Sequence, residues 1–184
     1  MNRTIARPLS QTAFAVVACG MLTCFATAAE EQLQNEGNFT VNFTSINLNP
    51  QKPVAISKDR DMGVYVSLLT TTNAAGKGIL HNVTGRCLGW FIVDKVATSY
   101  EQHGHCNFAD AEGDVVYERY DFEPQKLGPV CIATGKWTGG TGKYVGLRGE
   151  FEIRVRVLNP AVDGVMQAIG TKEGRFRFTN AVAQ

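Results

Sequence analysis

The sequence predicts an all-β fold: a single antiparallel up-and-down β-barrel of about eight strands with a small central cavity. Three observations carry that expectation. Beyond residue 29, helical periodicity is almost absent, and short segments of alternating apolar and polar residues recur between turn-forming residues. From Glu150 to Val157 the two faces are fully segregated. Phe151, Ile153, Val155 and Val157 point one way and Glu150, Glu152, Arg154 and Arg156 the other, which puts core on one side and water on the other. The connections are too short for many crossovers, so consecutive hairpins are favoured over a Greek key, and closing the sheet removes its exposed edges.

Residues 1–29 are expected to be a cleaved signal peptide, and residues 30–184 the barrel domain. Arg3 and Arg7 precede an apolar run from Ala13 to Ala28 that ends in small residues suited to cleavage, with no acidic residue before Glu30. The run is short for a membrane span, and the stretch ahead of Cys19 is short for a lipoprotein signal, so a secreted or periplasmic product is expected rather than an anchored one. No membrane span is expected in the mature chain, whose size suits one core. Losing two arginines moves the formal charge from +1 to −1, and without a basic run there is no electrostatic reason to expect nucleic acid.

Asn38 to Leu48 reads as the first strand, with a phase slip near Thr44 that suggests a bulge. Gly63 to Asn73 is the second, closed by Ala74-Ala75-Gly76-Lys77-Gly78. Ile79 to Asp94 has the length of one bent strand or two, with Gly85 and Gly89 as kinks. Val96 to Phe108 follows, then a turn at Glu112-Gly113 and strands at Val115 to Phe122 and Val130 to Thr138. The Phe151 strand comes next. Val165 to Lys172 and Arg175 to Thr179 end the chain, with a turn expected at Lys172-Glu173-Gly174.

The glycine cluster before the Phe151 strand raises the question of phosphate binding, and residue identity answers against it. A P-loop needs glycine where Trp137 stands and Ser or Thr where Tyr144 stands; a dinucleotide fingerprint needs a small residue at Val145 and a helix after it. Gly139, Gly140, Gly142, Gly146 and Gly149 instead suit a crowded corner, with the Tyr144 ring folded onto the barrel end. Gly139-Gly140-Thr141-Gly142-Lys143-Tyr144-x-Gly146-x-x-Gly149 followed by an alternating strand resembles the hallmark stretch of the allene oxide cyclase and dirigent barrels. Gly104-His105-Cys106 running into Asp110-Ala111-Glu112-Gly113-Asp114 is similar to secreted bacterial members of unknown function. The resemblance covers roughly the second half of the mature chain and implies an eight-stranded antiparallel barrel with a central cavity. It transfers no catalytic residue.

Candidate chemistry is sparse. His103, His105 and Glu101 share a strand face with Ser99 and Asn107, whereas Tyr100, Cys106 and Phe108 occupy the other, so the histidines are expected outside and no metal is expected. Asp110, Glu112 and Asp114 lack the span of a calcium loop. No nucleophile elbow appears, and no cofactor is expected. Glu118 shares a face with Val116, Tyr120 and Phe122. With that face inward it is a buried carboxylate with a raised pKa and a candidate general acid; with the faces swapped, or a basic neighbour across the sheet, it is structural. His81, on the face of Ile79, Val83 and Cys87, is a second catalytic candidate. Tyr100, Tyr120, Phe122 and Trp90 are the aromatics expected to line a ligand site.

Cys87 and Cys106 lie at mirror positions of a hairpin turning near Val96, which suits a disulfide in an exported chain. Cys131 is then free or bonded between chains, and it could equally pair with either. The function expected first is binding of a small apolar or amphipathic molecule in the lumen. The alternatives are a cofactor-independent cyclase or isomerase using Glu118 or His81, and an accessory module that contacts another protein or a second copy of itself.

Overall fold

The computed structural model describes residues 33–48, 52–162 and 165–179; the expected signal peptide, residues 1–29, lies outside them. The strands are β1 (Glu36–Leu48), β2 (Val54–Ala55), β3 (Arg60–Asn73), β4 (Val83–Asp94), β5 (Ser99–Ala109), β6 (Val115–Lys126), β7 (Cys131–Gly140), β8 (Leu147–Val157) and β9 (Met166–Phe178). Apart from β2, each strand pairs antiparallel with its neighbours in sequence, and β1 closes the ring against both β3 and β9. Eight strands therefore form an up-and-down barrel. The two-residue β2 is an extra strand laid on β3, with Val54 opposite Met62. No helix among the described residues is long and apolar enough to cross a membrane.

Cross-strand pairing fills the interior. Phe108 stands directly opposite Gly85, Phe151 opposite Gly135 and Phe43 opposite Gly170, all on inner faces. A Cβ on Gly85 would meet the Phe108 ring at 2.4 Å, and one on Gly135 would meet Phe151 at 2.2 Å. Each ring occupies the space its glycine partner leaves empty, the large-against-small fit that a narrow barrel needs. At the end bearing the β3–β4, β5–β6 and β7–β8 turns, Phe39, Trp137, Phe151 and Phe176 pack together, with Trp137 and Phe151 centroids 4.3 Å apart. Ile79, Leu80, Tyr144 and Leu147 complete this floor.

Three local expectations are corrected. β1 pairs with β3 and β9 in unbroken register, so it has no bulge near Thr44. The apparent slip has another cause: Ser45 is buried facing inward while Ile46 and Leu48 are exposed, because at that end the lumen is not filled with apolar side chains. β9 runs straight through Lys172-Glu173-Gly174, where a turn was expected. Ile79 to Asn82 belong to the β3–β4 connection, not to a strand. Bulges do occur, between Tyr100 and Gln102 in the β5–β6 pairing and between Tyr117 and Glu118 in the β6–β7 pairing.

The glycine cluster forms the β7–β8 corner. A single 3₁₀ turn, Gly142–Tyr144, buries the Tyr144 ring. Gly146 has φ 82°, and a Cβ there would lie 2.3 Å from the Thr179 carbonyl oxygen, so this position requires glycine on two counts. The Lys143 ammonium lies 2.9 Å from the Asp110 carboxylate and 3.0 Å from that of Glu112, and the Lys143 backbone N–H donates to Asp114. The lysine of the Gly-Lys pair therefore ties the β7–β8 corner to the β5–β6 turn, and the clustered acids are its partners.

Candidate functional site

The end of the barrel opposite the aromatic floor holds a cavity of about 340 Å³. Its apolar wall is built by Phe43, Leu69, Phe122, Ile153 and Val155, and Leu127 and Gly128 of the β6–β7 connection reach its rim. Polar side chains enter from β1, β3, β5, β6 and β9. Tyr65 and Tyr120 are hydrogen-bonded through their hydroxyls, Gln102 Nε2 donates to Tyr65 Oη at 2.5 Å, and Tyr100 donates to Gln102 Oε1. Ser67 donates to Asn47 near the rim. Burial raises the Tyr100 and Tyr120 hydroxyls well above the ordinary tyrosine value, so both stay protonated at any physiological pH.

Glu118 and Lys172 meet toward the floor of this cavity. Glu118 is 1% exposed and Lys172 2%. Lys172 Nζ donates to Glu118 Oε2 at 2.5 Å. The two come from β6 and β9, which are separated in the sheet by β7 and β8, so the contact spans the lumen instead of running along the sheet. Lys172 lies between Gly170 and Gly174 on the inner face of β9, which leaves space for its long side chain. Its ammonium is 4.3 Å from the Phe108 ring centroid and within 6 Å of Phe43, Phe151 and Trp137. Desolvation dominates both groups: it pushes the Glu118 carboxyl up and the Lys172 ammonium down, each partly opposed by the partner's charge. Burial thus works against both charges of the pair, and each charge is held by the other.

Tyr100, Tyr120 and Phe122 line the cavity with Glu118. Two other candidates do not join them. Trp90 lies opposite Val64 and His103 on the outer face of β4 and stacks on His103 at 4.5 Å, because the inner positions of that strand fall on Val83, Gly85 and Cys87. His81 lies in the β3–β4 connection at the floor end, where its Nε2 is 3.1 Å from Asn82 Nδ2. His103 is held by Asp121 at 2.8 Å, Glu101 by Arg60 at 3.2 Å, and His105 is exposed. Among the described residues, no three His, Cys, Asp or Glu side chains converge on one point.

Cys87 and Cys106 are opposite one another on β4 and β5 and are disulfide-bonded on the cavity wall. Cys131 is a buried free thiol on the same wall, and burial raises its pKa. Lys172, Gln102 and Tyr65 went unread in the sequence. The one available signal for Lys172 was phase, since Ala168, Gly170, Gly174 and Phe176 mark the inner face of β9 and the lysine falls between them.

No family model matches this chain, and no curated protein matches it in sequence. The chain is similar to the solved structure of the pterocarpan synthase dirigent protein GePTS1, with a TM-score of 0.51 over 83% of this chain and 92% of that one, at 14% identity. At that identity the likeness is one of fold. What the two chains share is the closed antiparallel β-barrel.

Proposed function

We propose that the protein is exported, with residues 1–29 as its signal peptide, and that it binds one small amphipathic molecule in the lumen. The cavity of about 340 Å³ carries the proposal. Its volume lies at the lower end of ligand sites, which span about 300–1,000 Å³, and it combines an apolar wall with a few convergent polar groups. The apolar body of the ligand packs against Phe43, Leu69, Phe122 and Ile153. Its polar end faces the tyrosines, Gln102 and the Glu118–Lys172 pair. The Cys87–Cys106 disulfide is consistent with an oxidising compartment. Native mass spectrometry of the freshly purified protein, followed by solvent extraction, tests the reading. A co-purifying molecule of one per chain supports it; a lumen that stays empty and takes up no small amphipath sinks it.

A second reading is favoured by the burial of Glu118: a cofactor-independent cyclase or isomerase in which this carboxyl, raised by desolvation, acts as a general acid toward a ligand at the cavity floor. It requires that Glu118→Gln abolish turnover of a bound substrate while binding and the folded state persist. Unchanged turnover in that variant removes this reading and leaves the binding one intact.

A further inference from the structure

We infer that Lys172 is a covalent capture site for carbonyl compounds: the lumen binds a small aromatic or aliphatic aldehyde and holds it as a protonated imine on Nζ, with Glu118 as proton shuttle and counter-ion. The inference rests on the proposed use of the lumen as a ligand site. Geometry supports it first. Lys172 lines the cavity and is shielded from bulk water, and its Nζ is held by the Glu118 carboxylate at 2.5 Å. Four aromatic rings surround it and favour a cation at this position whether it is an ammonium or an iminium. The other lysines of the described residues are exposed, apart from Lys143, which is half-buried and already held by Asp110 and Glu112.

The chemistry balances without a further reagent. A proton moves from the Lys172 ammonium to Glu118, freeing the nitrogen lone pair, which attacks the carbonyl carbon. The resulting alkoxide takes a proton from nitrogen to give the neutral carbinolamine. The Glu118 carboxyl then returns its proton to the hydroxyl, which leaves as water as the carbon–nitrogen double bond forms. One aldehyde and one ammonium thus become one protonated imine and one water, and Glu118 ends as the carboxylate paired with it. Burial brings the two groups toward the neutral forms this sequence needs.

The experiment uses the full mature chain, benzaldehyde at one equivalent, and sodium cyanoborohydride, which delivers hydride to the imine and makes the link permanent. The expected product carries one benzyl group on Lys172, located by peptide mapping of the wild-type protein, and no comparable label elsewhere. Glu118→Gln should slow the labelling by on the order of a hundredfold, the scale of a lost acid–base catalyst. Lys172→Arg, which keeps a cation against Glu118 but cannot form the imine, should lose the label. Thermal shift with benzyl alcohol, which has no carbonyl, separates the two proposals. Stabilisation by benzyl alcohol with no label on Lys172 overturns the capture site alone. No stabilisation by either compound overturns the binding reading as well. Label spread evenly over the exposed lysines also overturns the inference.

Discussion

Removing one member of a buried ion pair strands the other charge where water cannot reach it, whereas removing both leaves only a change of packing. Glu118 and Lys172, at 1% and 2% exposure, meet that condition. Glu118→Gln and Lys172→Met, taken singly, should each cost about 3–5 kcal/mol of unfolding free energy. The double variant should cost far less than the sum. Urea denaturation of the three variants checks this, and additive costs would mean that the two side chains are not coupled in the folded protein. The pair is accordingly weak evidence for stability, since an apolar lumen of the same volume would fold at least as readily. The phase of Glu118 with Val116, Tyr120 and Phe122 was legible, but whether that face turned inward was left open by the sequence. The partner of Glu118 was not legible, since a lysine followed by Glu173-Gly174 has the composition of a turn, and only the barrel's closure brings β9 across from β6.

Strands and turns show where the sequence speaks plainly and where tertiary context overrides it. The Cys87–Cys106 link joins β4 to β5 across 19 residues, and replacing both cysteines by serine should lower stability by about 3 kcal/mol. Reduction of the wild type should do the same, read as a matched shift in the denaturation midpoint. The β7–β8 corner makes a second prediction. Gly149 has φ 156°, and a Cβ there would approach the Arg175 carbonyl oxygen to 2.1 Å, so Gly149→Ala should cost about 2–3 kcal/mol through a clash with backbone. Gly113→Ala, at φ 89° in open space, should cost about 1 kcal/mol, the penalty of the backbone conformation alone. Equal costs at the two sites would contradict the account of the corner. Lys143→Met should cost about 1 kcal/mol at neutral pH. Asp110 carries a pKa held below the ordinary carboxylate value: burial opposes this, but the hydrogen bond and charge of Lys143 prevail. A lowered folded-state value contributes stability above the unfolded value and loses it as pH falls through the folded one. The gap between wild type and Lys143→Met should therefore narrow as pH drops below about 4. The glycine stretch itself was readable as a corner because every position that phosphate binding requires is filled by the wrong residue. The straight course of β1 was not readable, because Ser45 and Asn47 turn inward toward a cavity whose existence only the closed barrel reveals.

At the scale of the whole molecule, the barrel is divided into a filled end and a hollow one. Packed aromatic rings close the floor, while at the other end the aromatic, aliphatic and polar side chains that line the lumen leave a cavity between them. A bound molecule stabilises the folded state in proportion to its occupancy, so a ligand at about a hundred times its dissociation constant should add about 2.7 kcal/mol to the unfolding free energy. Filling the cavity from within should abolish that gain: Ala168→Phe, at a buried inner position on the cavity wall, is expected to fold and to lose ligand stabilisation. The most direct measurement is a methyl-labelled NMR titration of the mature chain with benzyl alcohol. Saturable, one-to-one shifts are expected at Leu69, Ile153 and Val155 on the cavity wall, with Ile46, Leu88 and Ile132 on the outer wall unmoved. Shifts confined to the outer methyls, or no saturable shift in the lumen, would contradict the account.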